Sequence, residues 1–264
     1  MGNSDQVSGR QGAVDRPWGR GINAGSLGSF GRRDDEDGYR RHVPNQGSGK
    51  IQEGGLPVMI DPGTPEKALS VLGETMGADG MVQVKNAHVS GVSYMNLGKH
   101  GLEFLRDLAK SGVRVSVPTS SNPCGVDVKS WKEQGITQEF LEHQLEVNKL
   151  LESMGVFPSY SCTFPYEGPW ASGLSVGDHV AWAESSAVVY GNSVMGIRTN
   201  REGGPSALFA AIAGKTPAYG MHLDRNRRPA LYVKIEEPVP RGPLEWGLLG
   251  KFVAERGQAR VVYL

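Results

Sequence analysis

The chain of 264 residues carries 28 Lys and Arg against 28 Asp and Glu, a formal charge of zero, with 38% hydrophobic residues and 37 glycines. Zero charge argues against bulk electrostatic capture of nucleic acid or an anionic membrane, and no apolar run approaches the roughly 18–20 residues of a membrane-spanning helix. Cys124 and Cys162 are too few for a disulfide framework, which leaves a reducing compartment, by default the cytoplasm.

Residues 1–55 read as a disordered tail. They are rich in Gly, Ser, Arg and Asp, and Arg32-Arg33-Asp34-Asp35-Glu36-Asp37 mixes both charge signs. Such a segment buries too little apolar surface to offset the entropy of ordering. It lacks the apolar core of a secretory signal and is too acidic for a mitochondrial presequence.

From Leu56 the pattern becomes globular. Thr64-Pro65-Glu66 predicts a helix start, with Thr as N-cap, Pro in the first turn and an acid near the helix N-terminus. Ala68, Leu69, Leu72 and Met76 then share one face, and Gly77 or Gly80 ends the helix. Met81–Val84 reads as a short strand. A second helix covers Gly101–Ala109, with Leu102, Leu105 and Leu108 on one side, and Gly112 stops it. Val113–Val117 alternates as a strand before Pro118. Thr137 is placed to cap a third helix striped by Phe140, Leu141, Leu145, Leu150, Leu151 and Met154, with Gly155 just beyond its end. Alternating helices and strands predict an α/β fold with a largely parallel sheet. Ligands in such sheets sit at the carboxyl ends of strands, so the loops there are the candidates.

Three loops follow predicted strands. Asn86–Tyr94 gathers small residues, hydroxyls and free amides suited to a carboxylate or phosphate, or it is a plain connection with local Ser hydrogen bonds. His88 there reads as structural. Pro118–Gly125 has its backbone fixed by two prolines, and Asn122 offers its amide to a ligand or simply starts a turn. Ser161–Tyr166 carries Cys162, placed at a strand end, as a nucleophile, a metal ligand or an inert buried thiol. Further on, Ala181–Ser193 reads as a tightly packed buried helix, in which Glu184 needs a partner; Arg198 and Arg201 are the candidates, unless they bind an anion. Dinucleotide, P-loop, zinc-protease and nucleophile-elbow motifs are absent from the sequence.

Four blocks, NAHVSGVSYMNLGKHGLEFLRDLA, VPTSSNPCGVD, YSCTFPY and the run from HVAWAESSAVVYG to HLDRNRRP, resemble the catalytic domain, or large subunit, of aconitase X over roughly residues 56–250. That family includes archaeal mevalonate 5-phosphate dehydratase and cis-3-hydroxy-L-proline dehydratase. The resemblance implies an aconitase-like layered α/β fold and a hydro-lyase acting on a hydroxy acid such as mevalonate 5-phosphate. It also implies a [4Fe-4S] iron–sulfur cluster on three cysteines, whose open iron acts as a Lewis acid on the departing hydroxyl, and a small swivel-domain subunit as partner. Carried over by position, it assigns substrate contacts to Gly91, Val92, Ser93, Asn122, Pro123, Glu184 and Ser185, and a cluster ligand to Cys162. Cys124 lies near the site without being an expected ligand. No catalytic base is assigned in this chain; the family's base is a Ser of the swivel domain.

The departures shape the expectation. The family's large subunit continues past the point matched by Leu264, and that part carries the other two cluster cysteines. Residues 1–55 do not resemble the swivel domain. Phe164 interrupts the family's Cys-Thr-Pro-Tyr pattern, and Gly191 replaces its usual Ala. A single thiolate cannot hold a cluster that takes three. Residues 56–264 are therefore expected to be the N-terminal part of such a domain, inactive without the rest. The alternatives are a cis-3-hydroxy-L-proline dehydratase-like protein, an inactive remnant, or an unrelated enzyme with a cysteine nucleophile.

Overall fold

The computed structural model describes residues 61–122, 125–236, 239–257 and 261–263. The tail expected over 1–55 lies outside the described residues, as do Pro123 and Cys124. Helix α1 (Thr64–Met76) forms where its start signal predicts. Gly63, not Thr64, takes the N-cap position, and no side chain caps the helix; the Thr64 amide donates to the Asp61 carbonyl at 2.7 Å. Pro65, Leu69 and Gly73 are buried one turn apart, Met76 is exposed, and Gly77 at φ +63° ends the helix. Strand β1 (Met81–Gln83) follows but pairs antiparallel with β5 (Lys215–Pro217), outside the parallel sheet.

The parallel sheet lies further along the chain than its hydrophobic alternation predicts. Its central strand is β2 (Ala87–Ser90), flanked by β3 (Thr119–Asn122) and β4 (Ala181–Trp182). Ala87, His88, Val89 and Ser90 pair in register with Thr119, Ser120, Ser121 and Asn122. Parallel bridges from Phe157 to Ser120 and from Arg201 to Trp182 extend the sheet at both edges. The predicted strand over Val113–Val117 is irregular instead. The Val115 amide donates to Met154 and the Ser116 amide to Ala211, so this segment's hydrogen bonds go to helix ends rather than to a neighbouring strand. The true strands are short and polar. Most of their buried polar groups are bonded: His88 Nδ1 meets Ser120 Oγ at 2.8 Å, and Thr119 Oγ1 donates to the Val117 carbonyl, whereas His88 Nε2 has no partner among the described residues.

Helix α2 (Tyr94–Lys110) starts ahead of the predicted Gly101 because a kink at Gly98, φ +61°, adds a preceding turn. Leu102, Leu105 and Leu108 are buried as predicted. They pack on Val147, Leu151 and Met154 of helix α3 (Gln138–Ser153) and its end. Thr137 caps α3 by accepting from the Phe140 amide at 3.2 Å. Cys162 is not at a strand end. It sits exposed on a bend ahead of the single-turn helix α4 (Phe164–Glu167). Phe164 stacks on Phe157 with centroids 5.2 Å apart and meets Trp170 edge-on at 5.3 Å, so the residue that interrupts the family pattern pins this loop to the edge of the sheet.

The segment expected to be one buried helix is β4 followed by the surface helix α5 (Ser185–Tyr190) and a π-helical turn, Gly191–Met195. Trp182 is wholly buried, whereas Ser185, Ser186 and Val189 are exposed. At Gly191 a Cβ would lie 2.9 Å from both Trp182 and Ile197, which is the local reason for glycine there. Helix α6 (Gly204–Ala213) then packs Ala207, Leu208, Ala210 and Ala211 with Ala87 and Val89 of the central strand. Beyond it, β6 (Leu231–Tyr232) pairs in parallel with β7 (Val262–Tyr263) across helix α7 (Pro243–Gly257). No helix among the described residues is long and apolar enough to cross a membrane.

Gly204 fixes the approach of α6 to the end of β2. An added Cβ would lie 2.6 Å from the Ser90 carbonyl oxygen and 2.9 Å from Val92. Gly204→Ala should therefore cost about 1–3 kcal/mol of unfolding free energy in urea, the range for overpacking. Gly247→Ala in α7, where a Cβ meets nothing within 4 Å, should be neutral or mildly stabilising. Equal effects would contradict the close approach.

Candidate functional site

The carboxyl ends of the three parallel strands meet at one carboxyl group. Ser90 closes β2, Asn122 closes β3, and Glu184 follows β4. Ser90 Oγ and Asn122 Nδ2 both donate to Glu184 Oε2, each at 2.9 Å. Glu184 thus finds its partners across the sheet. The cations proposed for it lie elsewhere: Arg198 pairs with Asp224 and donates to the His222 carbonyl, and Arg201 runs beside Trp182 with its side chain exposed.

The loop after β2 is built for close approach. Gly91 takes φ +80°, its amide donates to the Asn122 carbonyl at 3.2 Å, and its carbonyl accepts from Asn96 Nδ2 at 2.9 Å. Val92 and Ser93 are buried. Ser93 occupies the N-cap position of α2 without a side-chain cap bond, and the following Tyr94 amide is taken up by the fully buried Gln144 Oε1. The chain therefore enters α2 beside this loop, α6 starts against the Ser90 carbonyl, and α5 starts directly after Glu184. Helix N-termini carry unsatisfied N–H groups and a positive dipole end. With the Gly91 and Tyr94 amides already bonded, the remaining first-turn N–H groups of α2 and α6 are the ones suited to an anionic ligand.

Of the residues expected to contact substrate, Gly91, Val92, Ser93, Asn122, Glu184 and Ser185 all lie on these strand ends or the turns just after them. Pro123, next to Asn122, lies outside the described residues. Ser185 opens onto a shallow depression of about 490 Å³ shared with Ser186, Val189 and Tyr166. Tyr166 stacks on Tyr190 with centroids 4.4 Å apart. Burial first, then the nearby acidic groups including Glu167, Cys162 and Glu184, raise its phenol pKa. Cys162 itself follows Tyr160, which is held at φ +48° with its amide on the Ser121 carbonyl. A bulky residue in that conformation is uncommon and tends to mark functional turns. Ser90, Tyr166 and Gln144 were not singled out by the sequence. Ser90 had a readable signal, since it pairs with Asn122 once the polar segment Ala87–Ser90 is recognised as a strand.

His88 is structural, as its isolated position suggested. It is fully buried, its Nδ1 is bonded to Ser120, and burial lowers its pKa to about 4. Among the described residues, no group of three or more His, Cys, Asp or Glu is arranged to hold a metal ion, and Cys162 is the single described thiol.

The family described as "Aconitase X first domain" matches residues 66–225. The phosphomevalonate dehydratase large subunit of Thermococcus kodakarensis is 48% identical over 177 residues, covering 66% of this chain and 43% of that protein. The Aeropyrum pernix large subunit is 47% identical over 196 residues, or 71% and 48% of the two chains. The cis-3-hydroxy-L-proline dehydratase of Pseudomonas aeruginosa is 34% identical over 161 residues, covering 61% of this chain and 27% of that protein. The crystal structure of Thermococcus kodakaraensis aconitase X in its holo-form superposes with a TM-score of 0.64 at 42% identity, covering 77% of this chain and 48% of that one. The chain thus spans less than half the length of these relatives.

The buried imidazole predicts a pH signature. An unfolded chain protonates His88 near pH 6.5, whereas the folded chain resists down to about 4. Its contribution is complete above about pH 6.5 and is lost as the pH falls toward 4. Between pH 7 and 5 the loss of unfolding free energy should be about 2 kcal/mol larger in the native sequence than in His88→Gln. Parallel pH profiles for the two proteins would contradict a neutral buried ring.

Proposed function

Because this chain belongs to the aconitase X family, we propose that it is the substrate-holding part of a hydro-lyase acting on mevalonate 5-phosphate, and that it works with further polypeptide and a small subunit. The observation that carries this reading is the convergence of Ser90 and Asn122 on Glu184 Oε2 at the ends of three parallel strands. Two donors fix the carboxyl group in place, and Glu184 Oε1 has no hydrogen-bond partner among the described residues, which leaves it as an acceptor for a substrate hydroxyl. The Gly91 turn and the starts of α2 and α6 supply the positive end of the site for the substrate's phosphate or carboxylate.

Water elimination requires a base at carbon and assistance to the departing hydroxyl. An iron–sulfur cluster of the kind the resemblance implies would supply that assistance as a Lewis acid. The residues described here do not fit such a cluster by themselves, since one exposed thiol, Cys162, faces a requirement for three. What this chain contributes is orientation: Glu184 and Asn122 set the substrate's hydroxyl end, and the Gly91–Ser93 turn sets its anionic end. The phosphomevalonate reading is favoured over the hydroxyproline one by identity, 45–48% against 34–35%.

Calorimetry on the 264-residue chain tests the reading. Mevalonate 5-phosphate should bind at least tenfold more tightly than inorganic phosphate or cis-3-hydroxy-L-proline. Glu184→Gln should weaken its binding by about 1–3 kcal/mol, the cost of altering a charged hydrogen-bonding group, and leave phosphate binding unchanged. Preference for the hydroxyproline would shift the substrate to the second branch, and no preference among the three would overturn the reading.

A further inference from the structure

A second concavity lies between the π-helical turn and the last strand, and Ser193 lines both it and the depression beside Ser185. It measures about 420 Å³, within the usual range of small-molecule pockets. Met221, Val261, Val262 and Tyr263 give it an apolar wall, and Asn192 and Arg227 give it a polar end.

The Arg227 guanidinium is held on one edge only. Nη1 donates to Asn192 Oδ1 at 2.6 Å and to the Met221 carbonyl at 3.2 Å, and Nη2 donates to the Asn192 carbonyl at 3.2 Å. Asn192 is in turn fixed by its own amide, which donates to the Val188 and Thr199 carbonyls at 2.9 and 2.8 Å. All three acceptors of Arg227 are neutral, and it forms no ion pair among the described residues; the neighbouring Asp224 is paired with Arg198. A guanidinium has five N–H groups, so one on Nε and one on Nη2 have no acceptor among the described residues. These two share the edge that takes a carboxylate or phosphate bidentately. Burial, and then the adjacent Arg198 charge, act against the charged form of Arg227, a penalty that a bound anion would relieve.

We propose that this cavity binds a small organic oxyanion, with its carboxylate or phosphate head on the open edge of Arg227 and a short apolar body against Met221, Val261 and Val262. The guanidinium is pre-positioned by the π turn, so little rotamer freedom is lost on binding. The groups that would hold the anion, Arg227 and Asn192, are not among the residues of the dehydratase reading, although Ser193 lines both cavities.

The full chain is titrated with hexanoate, hexyl phosphate, hexanol and acetate, with binding followed by NMR. Hexanoate or hexyl phosphate should bind saturably and at least tenfold more tightly than hexanol, which lacks the charge, and than acetate, which lacks the body. The better of the two anions identifies the head group. Arg227→Gln should weaken binding at least tenfold. Because that change also releases Asn192, a second readout uses the unaltered chain: phenylglyoxal modification of Arg227, measured by peptide mass, should slow at least threefold with the tighter anion and not with hexanol. Equal binding of hexanol, or modification of Arg227 indifferent to the anion, would overturn the proposal.

Discussion

A single oxygen atom, Glu184 Oε2, joins the ends of three strands that are far apart in sequence. It accepts from Ser90 on the central strand and from Asn122 on its neighbour, and Glu184 itself follows the third strand. A half-buried carboxyl group of this kind is costly unless its oxygens are bonded. The sheet register meets that demand, since Ser90 and Asn122 are directly paired residues. The turn at Gly91, the entry into α2 and the close seat of α6 at Gly204 all depend on where Ser90 is held.

Around that point the molecule tolerates polar burial because nearly every polar group is answered. Asn86 Oδ1 takes the Trp182 indole N–H at 2.8 Å, and the Trp182 amide donates to Thr199. Glu202, whose pKa burial raises, accepts from Ser206 and Thr216 on its two oxygens. Such networks narrow the ways the strands can pair, so they specify geometry more than they add stability. Among the described residues, the exceptions are the buried Nε2 atoms of His88 and His222 and the Nδ1 of His143.

Much of the helical frame was legible in the sequence. Thr137, the Leu102–Leu105–Leu108 face and Gly77 act as their residue types predict, because capping, 3.6-residue periodicity and positive φ are local effects. The sheet was not legible by the same means. Val113–Val117 alternates as a strand should, yet its amides are taken by Met154 and Ala211, while the real strands, AHVS and TSSN, carry hydroxyls and an imidazole whose partners lie tens of residues away. Strand identity there is a tertiary property. The loops picked out as candidates include Gly91–Ser93 and Asn122, but Asn122 closes strand β3 instead of starting the turn that Asn beside Pro suggested. The partner of Glu184 was missed for the same reason as the strands: without the register of Ser90 against Asn122, the nearby arginines were the visible choice.

The most direct measurement is a pair of double-mutant cycles on unfolding free energy, Ser90→Ala with Glu184→Ala and Asn122→Ala with Glu184→Ala. If one carboxyl oxygen ties the strand ends together, each cycle should show a coupling of about 1.5–3 kcal/mol, the range for hydrogen bonds to a charged group. Additivity within about 0.5 kcal/mol in both cycles would mean that the three residues act independently, and the shared oxygen would not be what organises the site.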